Sequence, residues 1–139
     1  MVKIHPALLA LTLALSSGCG SSSENNANAP PPTTMANDVG IVVGASSLTS
    51  TAFSPNPKVV SLGGNSSVTV RWVNRDISGG DYAQGTATTH SIASDDGAFT
   101  TSGLLGGNAT FSASFTAEGD YPYHCGVHPN MVGTVSVTP

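Results

Sequence analysis

The chain has 139 residues, enough for one domain of ordinary size. Only 9% of them are charged and the formal balance is −4, so the clustered Lys and Arg of a phosphate-binding face have no counterpart, which argues against nucleic acid as a partner. Gly, Ser, Thr and Asn are abundant, a composition suited to turns and short strands rather than helices.

Residues 1–19 read as a secretory leader. Lys3 supplies a positive start, Ala7 to Leu15 form an apolar run too short to cross a membrane, and Ser16-Ser17-Gly18-Cys19 ends it. Small residues followed by Cys resemble a bacterial lipoprotein signal, which implies a lipid on Cys19, a membrane anchor, and a periplasmic or cell-envelope location. Without Lys3, the basic residues Lys58, Arg71 and Arg75 face eight acidic ones, a balance of −5. Residues 20–38, rich in Ser, Asn and Pro, cannot bury enough apolar surface to offset the entropy of ordering and are expected to be a disordered tether. Fully extended, it reaches on the order of 60 Å.

The folded domain is expected over residues 39–139. Val39 to Val43 reads as a first short strand, Phe53-Ser54-Pro55-Asn56-Pro57 as a break, and Lys58 to Leu62 as a strand leading into the turn Gly63-Gly64-Asn65. Val68, Val70 and Trp72 alternate with Thr69, Arg71 and Val73, the pattern of a strand with one face in the core. A long connection over residues 77–89 precedes another expected strand, His90 to Ser94. Phe111, Ala113 and Phe115 alternate again, Glu118-Gly119-Asp120 turns, and Tyr121 to Cys125 and Val132 to Val137 complete the set. Many short strands, Gly-rich turns and no helical period predict an all-β sandwich or barrel.

The most informative stretch is Tyr121-Pro122-Tyr123-His124-Cys125-Gly126-Val127-His128-Pro129-Asn130-Met131. It places a thiolate, an imidazole and a thioether at Cys125, His128 and Met131, spaced so that one tight turn aims all three at a common centre. Such donors select soft or borderline metals, and one Cys, two His and a distant axial Met describe a blue-copper site. A second His must come from elsewhere. His5 falls in the leader, and His124 points outward if Tyr121, Tyr123 and Cys125 share the inner face of a strand, which leaves His90. With one Cys assigned to a lipid and the other to a metal, no disulfide is expected.

This loop is similar to the copper loop of the plastocyanin/azurin family of cupredoxins, and its short Cys-x-x-His-x-x-Met spacing is most similar to amicyanin. Upstream, Val68 to Asp76 and His90 to Phe99 resemble the preceding segments of that family in order. The resemblance implies a Greek-key arrangement of about eight strands, one type 1 copper held by His90, Cys125, His128 and Met131, and a monomer. It further implies that the Ser91 N–H donates to the Cys125 sulfur, that Pro129 stiffens the turn beside an exposed edge of His128, and that Gly103-Leu104-Leu105-Gly106 and Val127 form an apolar patch around that edge.

Three function classes compete. One is an electron carrier, not an enzyme, passing single electrons between a donor and an acceptor redox protein of the envelope. Another is a copper-binding protein for storage, delivery or tolerance, which would favour open Met- or His-rich sites. The third is an enzyme fragment resembling a multicopper oxidase or nitrite reductase, which would need further histidines. Zinc is a weaker reading because thioether binds it poorly.

Overall fold

A computed structural model of the chain describes residues 32–77 and 87–139. The leader with Cys19, the tether up to residue 31 and the centre of the 77–89 connection lie outside the described residues. The described residues form eight strands: β1 (Asp38–Ile41), β2 (Phe53–Ser54), β3 (Lys58–Ser61), β4 (Val68–Asn74), β5 (Ala93–Ser94), β6 (Thr110–Phe115), β7 (Gly119–His124) and β8 (Val132–Thr138). They make two four-stranded sheets, ordered β2-β1-β4-β6 and β3-β8-β7-β5. β1 pairs in parallel with β4, and β3 with β8; the other pairs are antiparallel. This is the expected all-β sandwich.

Alternation along the strands fills the space between the sheets. Val70 and Trp72 of β4, Ala113 and Phe115 of β6, Tyr123 of β7, and Val135 and Val137 of β8 are all buried. The Trp72 ring meets Tyr123 edge-on at 5.3 Å and lies 5.7 Å from Phe111, while Phe53 meets Tyr123 at 4.9 Å. Burying each such side chain contributes about 1.5–3 kcal/mol, which makes this cluster the main source of stability. Gly133 lies opposite Tyr123 in register, and a Cβ there would overlap the Tyr123 ring and hydroxyl. The bare backbone thus makes room for the ring. Tyr121 donates its hydroxyl proton to the Ala117 carbonyl at 2.9 Å, a tyrosine corner that fixes the approach to β7.

Residues 33–38, which composition assigns to the tether, fasten onto the domain. Lys58 Nζ donates to the Ala36 carbonyl at 2.6 Å, Arg75 to Thr34 Oγ1 at 3.0 Å, and Arg71 to the Thr33 carbonyl at 2.6 Å. Arg71 also grips both carboxylate oxygens of Asp38, at 2.8 and 2.7 Å. That fork holds Asp38 below the ordinary carboxylate pKa, against the opposing effect of burial.

The His90 segment differs from expectation. Only Ala93–Ser94 joins the sheet, on β7. His90 instead forms an isolated bridge with Leu105, donating to its carbonyl at 3.1 Å and accepting its N–H at 2.7 Å. The Ile92 N–H goes to Ser102 Oγ at 2.8 Å. The backbone of His90 and Ile92 is therefore satisfied by the loop after Phe99 rather than by a ladder.

Candidate metal centre

The centre lies at one end of the sandwich, where irregular segments replace strands. Cys125 follows β7 directly and continues the inward face of Tyr123, so it is fully buried. The loop after it closes on itself: Met131 donates its N–H to the His128 carbonyl at 3.0 Å, and Cys125 donates to the Met131 carbonyl at 3.0 Å. Opposite the loop, the buried Asn74 at the end of β4 binds three segments together. Its amide donates to the carbonyls of Thr88 at 2.8 Å and Leu105 at 2.9 Å, and its oxygen accepts the Asp76 N–H at 2.9 Å. These contacts hold the bridge that carries His90.

The result is a triangle of donor atoms. Cys125 Sγ lies 3.7 Å from His90 Nδ1 and 3.9 Å from His128 Nδ1, and the two imidazole nitrogens are 3.3 Å apart. A point equidistant from the three lies about 2.1 Å from each, within the range of about 2.0–2.3 Å for metal–nitrogen and metal–thiolate bonds. His90, Cys125 and His128 are also the one group of His, Cys, Asp and Glu among the described residues whose donor atoms converge closely enough to hold an ion. Met131, at the end of the loop, is fully buried in the same core cluster as Cys125. His124 stays outside the triangle: it faces away from the core and pairs with Asp95.

The protons are arranged to suit a cation. Asp76 Oδ2 sits 2.9 Å from His90 Nε2, with both side chains essentially inaccessible to water. A carboxylate oxygen only accepts, so Nε2 carries a proton there and Nδ1 is the nitrogen that faces the triangle. The sulfur receives the Ser91 N–H at 3.5 Å, as expected, and additionally the His128 N–H at 3.4 Å. Burial alone pushes the Cys125 thiol up, but His90 and the N–H groups of Ser91, His128 and Val127 outweigh it and bring the pKa to about 6. Burial likewise opposes charge on His90, and Cys125 and Asp76 together raise its pKa. The lowered Cys125 value favours a thiolate, the metal-binding form of cysteine, while on His90 the same pairing favours a proton at Nδ1 that a metal ion would displace.

The expected apolar patch is smaller than the sequence implies. Leu104 and Val127 are exposed, at 69% and 42%, but Leu105 is buried at 6%. Its backbone bridges His90, which turns its side chain into the core and leaves its neighbour Leu104 outside. Sequence reasoning also missed Asn74, Asp76 and Asn130 as supporting residues. No spacing rule marks them, because each acts through a partner distant in sequence.

No family model matches the chain, and no curated protein matches it. Solved structures do. A novel purple cupredoxin from Nitrosopumilus maritimus is 27% identical with a TM-score of 0.58, over 73% of this chain and 98% of that one. A glycine-for-proline variant of amicyanin, in its reduced Cu(I) form at pH 4, is 21% identical with a TM-score of 0.51, over 75% and 85%. A copper-containing nitrite reductase from Thermus scotoductus is 21% identical with a TM-score of 0.52, over 82% of this chain but only 26% of the enzyme. The two at 21% share the fold. With the sandwich and the His-Cys-His triangle, these likenesses give the chain the fold of a cupredoxin.

Proposed function

We propose that this chain is a type 1 copper protein that carries single electrons between redox proteins of the cell envelope. The observation that carries the reading is the triangle of His90, Cys125 and His128, already closed to bonding distance around one point. One thiolate and two imidazoles suit copper, and Met131, buried at the end of the same loop, would supply a thioether as a fourth donor. Copper supplies a one-electron couple. The protein's part is to keep the donor set nearly unchanged between oxidation states, because each ligand rearrangement adds to the barrier.

The chain's own residues supply that rigidity. Asn74 and Asp76 fix His90, the hydrogen bonds within the Cys125–Met131 loop fix Cys125 and His128, and backbone amides, among them those of Ser91 and His128, stabilise the sulfur charge. His90 is inaccessible, whereas His128 is partly exposed beside the exposed Val127 and Pro129. His128 is accordingly the route by which electrons enter and leave, and Val127 offers an apolar contact next to it.

The leader and lipoprotein-like signal support export and an anchor at Cys19, with the acidic balance favouring a basic partner by faster encounter. A copper-handling role would call for an open site with several thioethers; this centre is enclosed, and Met35 lies far from the loop in sequence, exposed at 58%.

The test is the visible spectrum of the copper-loaded protein beside Cys125→Ser. The expected result is an intense thiolate-to-copper band that the substitution abolishes. A colourless wild-type protein that still binds Cu(I) would shift the role to copper handling.

A further inference from the structure

The short turn Ala45–Ser47 belongs to neither sheet, yet it touches both halves of the donor set. At its start, Gly44 donates its N–H to Asp76 Oδ1 at 2.7 Å, the carboxylate whose other oxygen takes His90 Nε2 at 2.9 Å. At its other end, the Asn130 amide donates to the carbonyl of Leu48, just past the turn, at 2.8 Å and to that of Ser46, within it, at 3.3 Å, and Asn130 sits in the loop between His128 and Met131. The turn is itself anchored, since Ala45 is fully buried in the core. Gly44 adopts φ +74°, a conformation that side-chain-bearing residues rarely take, and this aims its N–H at Asp76.

We infer that this turn is a brace that fixes the two halves of the metal centre relative to each other, with Asp76 and Asn130 as positioning residues at its ends. Without it, His90 rides on the Leu105 bridge and Asn74, the Cys125–Met131 loop on β7 and β8, and the two are joined only on one side, through the short β5–β7 ladder and the Ser91–Cys125 contact. The brace closes a ring of hydrogen bonds that runs from His90 through Asp76, Gly44, Leu48 and Asn130 back to the loop. Neither residue touches the ion; each sets where a ligand sits. A ring fails as a unit, so cutting it at either point releases much of the same constraint.

A double-mutant cycle on Asp76→Asn and Asn130→Ala tests this, read two ways. The copper readout rests on the function proposed above. Cu(II) affinity, measured by chelator competition, is expected to fall on the order of tenfold or more in Asp76→Asn and severalfold in Asn130→Ala, with the visible band shifted in each. The double variant should fall clearly short of the product of the single effects. The second readout needs no metal: amide hydrogen exchange at Gly44 in the metal-free protein should speed up about tenfold in Asn130→Ala, while its unfolding midpoint stays at the wild-type value. Asn130 is exposed, so this variant folds even if Asp76→Asn does not. Unchanged Gly44 exchange in Asn130→Ala, or copper effects that multiply independently, would overturn the brace. A wild-type chain that takes up no copper would count against the copper function alone, and Gly44 exchange would still decide the inference.

Discussion

Between the sheets, Trp72, Tyr123 and Phe53 are buried by strands whose neighbours are set by ladder register. At the end of the sandwich, His90, Asp76 and Cys125 are equally buried but held by individual hydrogen bonds from side chains and loop amides. The first arrangement is redundant, because many apolar contacts share the load. The second is not: Asn74 supplies the bonds to the Thr88 carbonyl and the Asp76 N–H and a second bond to the Leu105 carbonyl, and all three go together if it is lost. Stability and donor geometry are therefore supplied by different parts of the molecule, and substitutions should separate them.

The largest effect on folding is expected in the aromatic core. Trp72→Ala should cost about 3–5 kcal/mol in urea unfolding, enough to leave a domain of ordinary stability barely folded. Asn74→Ala should cost less, about 2–3 kcal/mol, but should also loosen His90 and weaken metal binding; a variant that lost stability and kept wild-type affinity would contradict the division. Asp38→Asn removes the fork that pins the entry segment and should cost about 1 kcal/mol at neutral pH. Because Asp38 is held below its ordinary pKa, its contribution is present above the unfolded-chain value and is lost as pH falls through the folded one. The gap between wild type and Asp38→Asn should accordingly close in acid. Smallest is Tyr123→Phe. Among the described residues the buried Tyr123 hydroxyl and Trp72 Nε1 have no well-formed hydrogen-bond partner, so removing the hydroxyl should be neutral or stabilising by up to about 1 kcal/mol.

The same division explains what could be read from the residues alone. Alternation at Val70–Trp72, Ala113–Phe115 and Tyr121–Cys125 located the core strands, because a period of two follows from strand geometry and needs no knowledge of partners. The outward direction of His124 followed from the same rule, and the convergence of Cys125 with His128 from their two-residue spacing within one tight turn. His90 was found through composition, being the one remaining histidine, but its setting was not: an isolated bridge to Leu105 depends on contacts across 15 residues. Thr33 to Asp38 looked like linker because nothing local marks them; Arg71 and Lys58, 20 or more residues away, hold them in place. Asp76 and Asn130 were illegible for the same reason, each meeting the Gly44–Leu48 segment more than 30 residues away.

The most direct measurement is copper X-ray absorption on the loaded protein in its oxidised and reduced states at neutral pH. The triangle of His90, Cys125 and His128 predicts two nitrogens and one short sulfur around the ion, with distances nearly equal in the two states. Absence of the short sulfur, or a set of ligands that changes with oxidation state, would contradict a rigid electron-carrying centre.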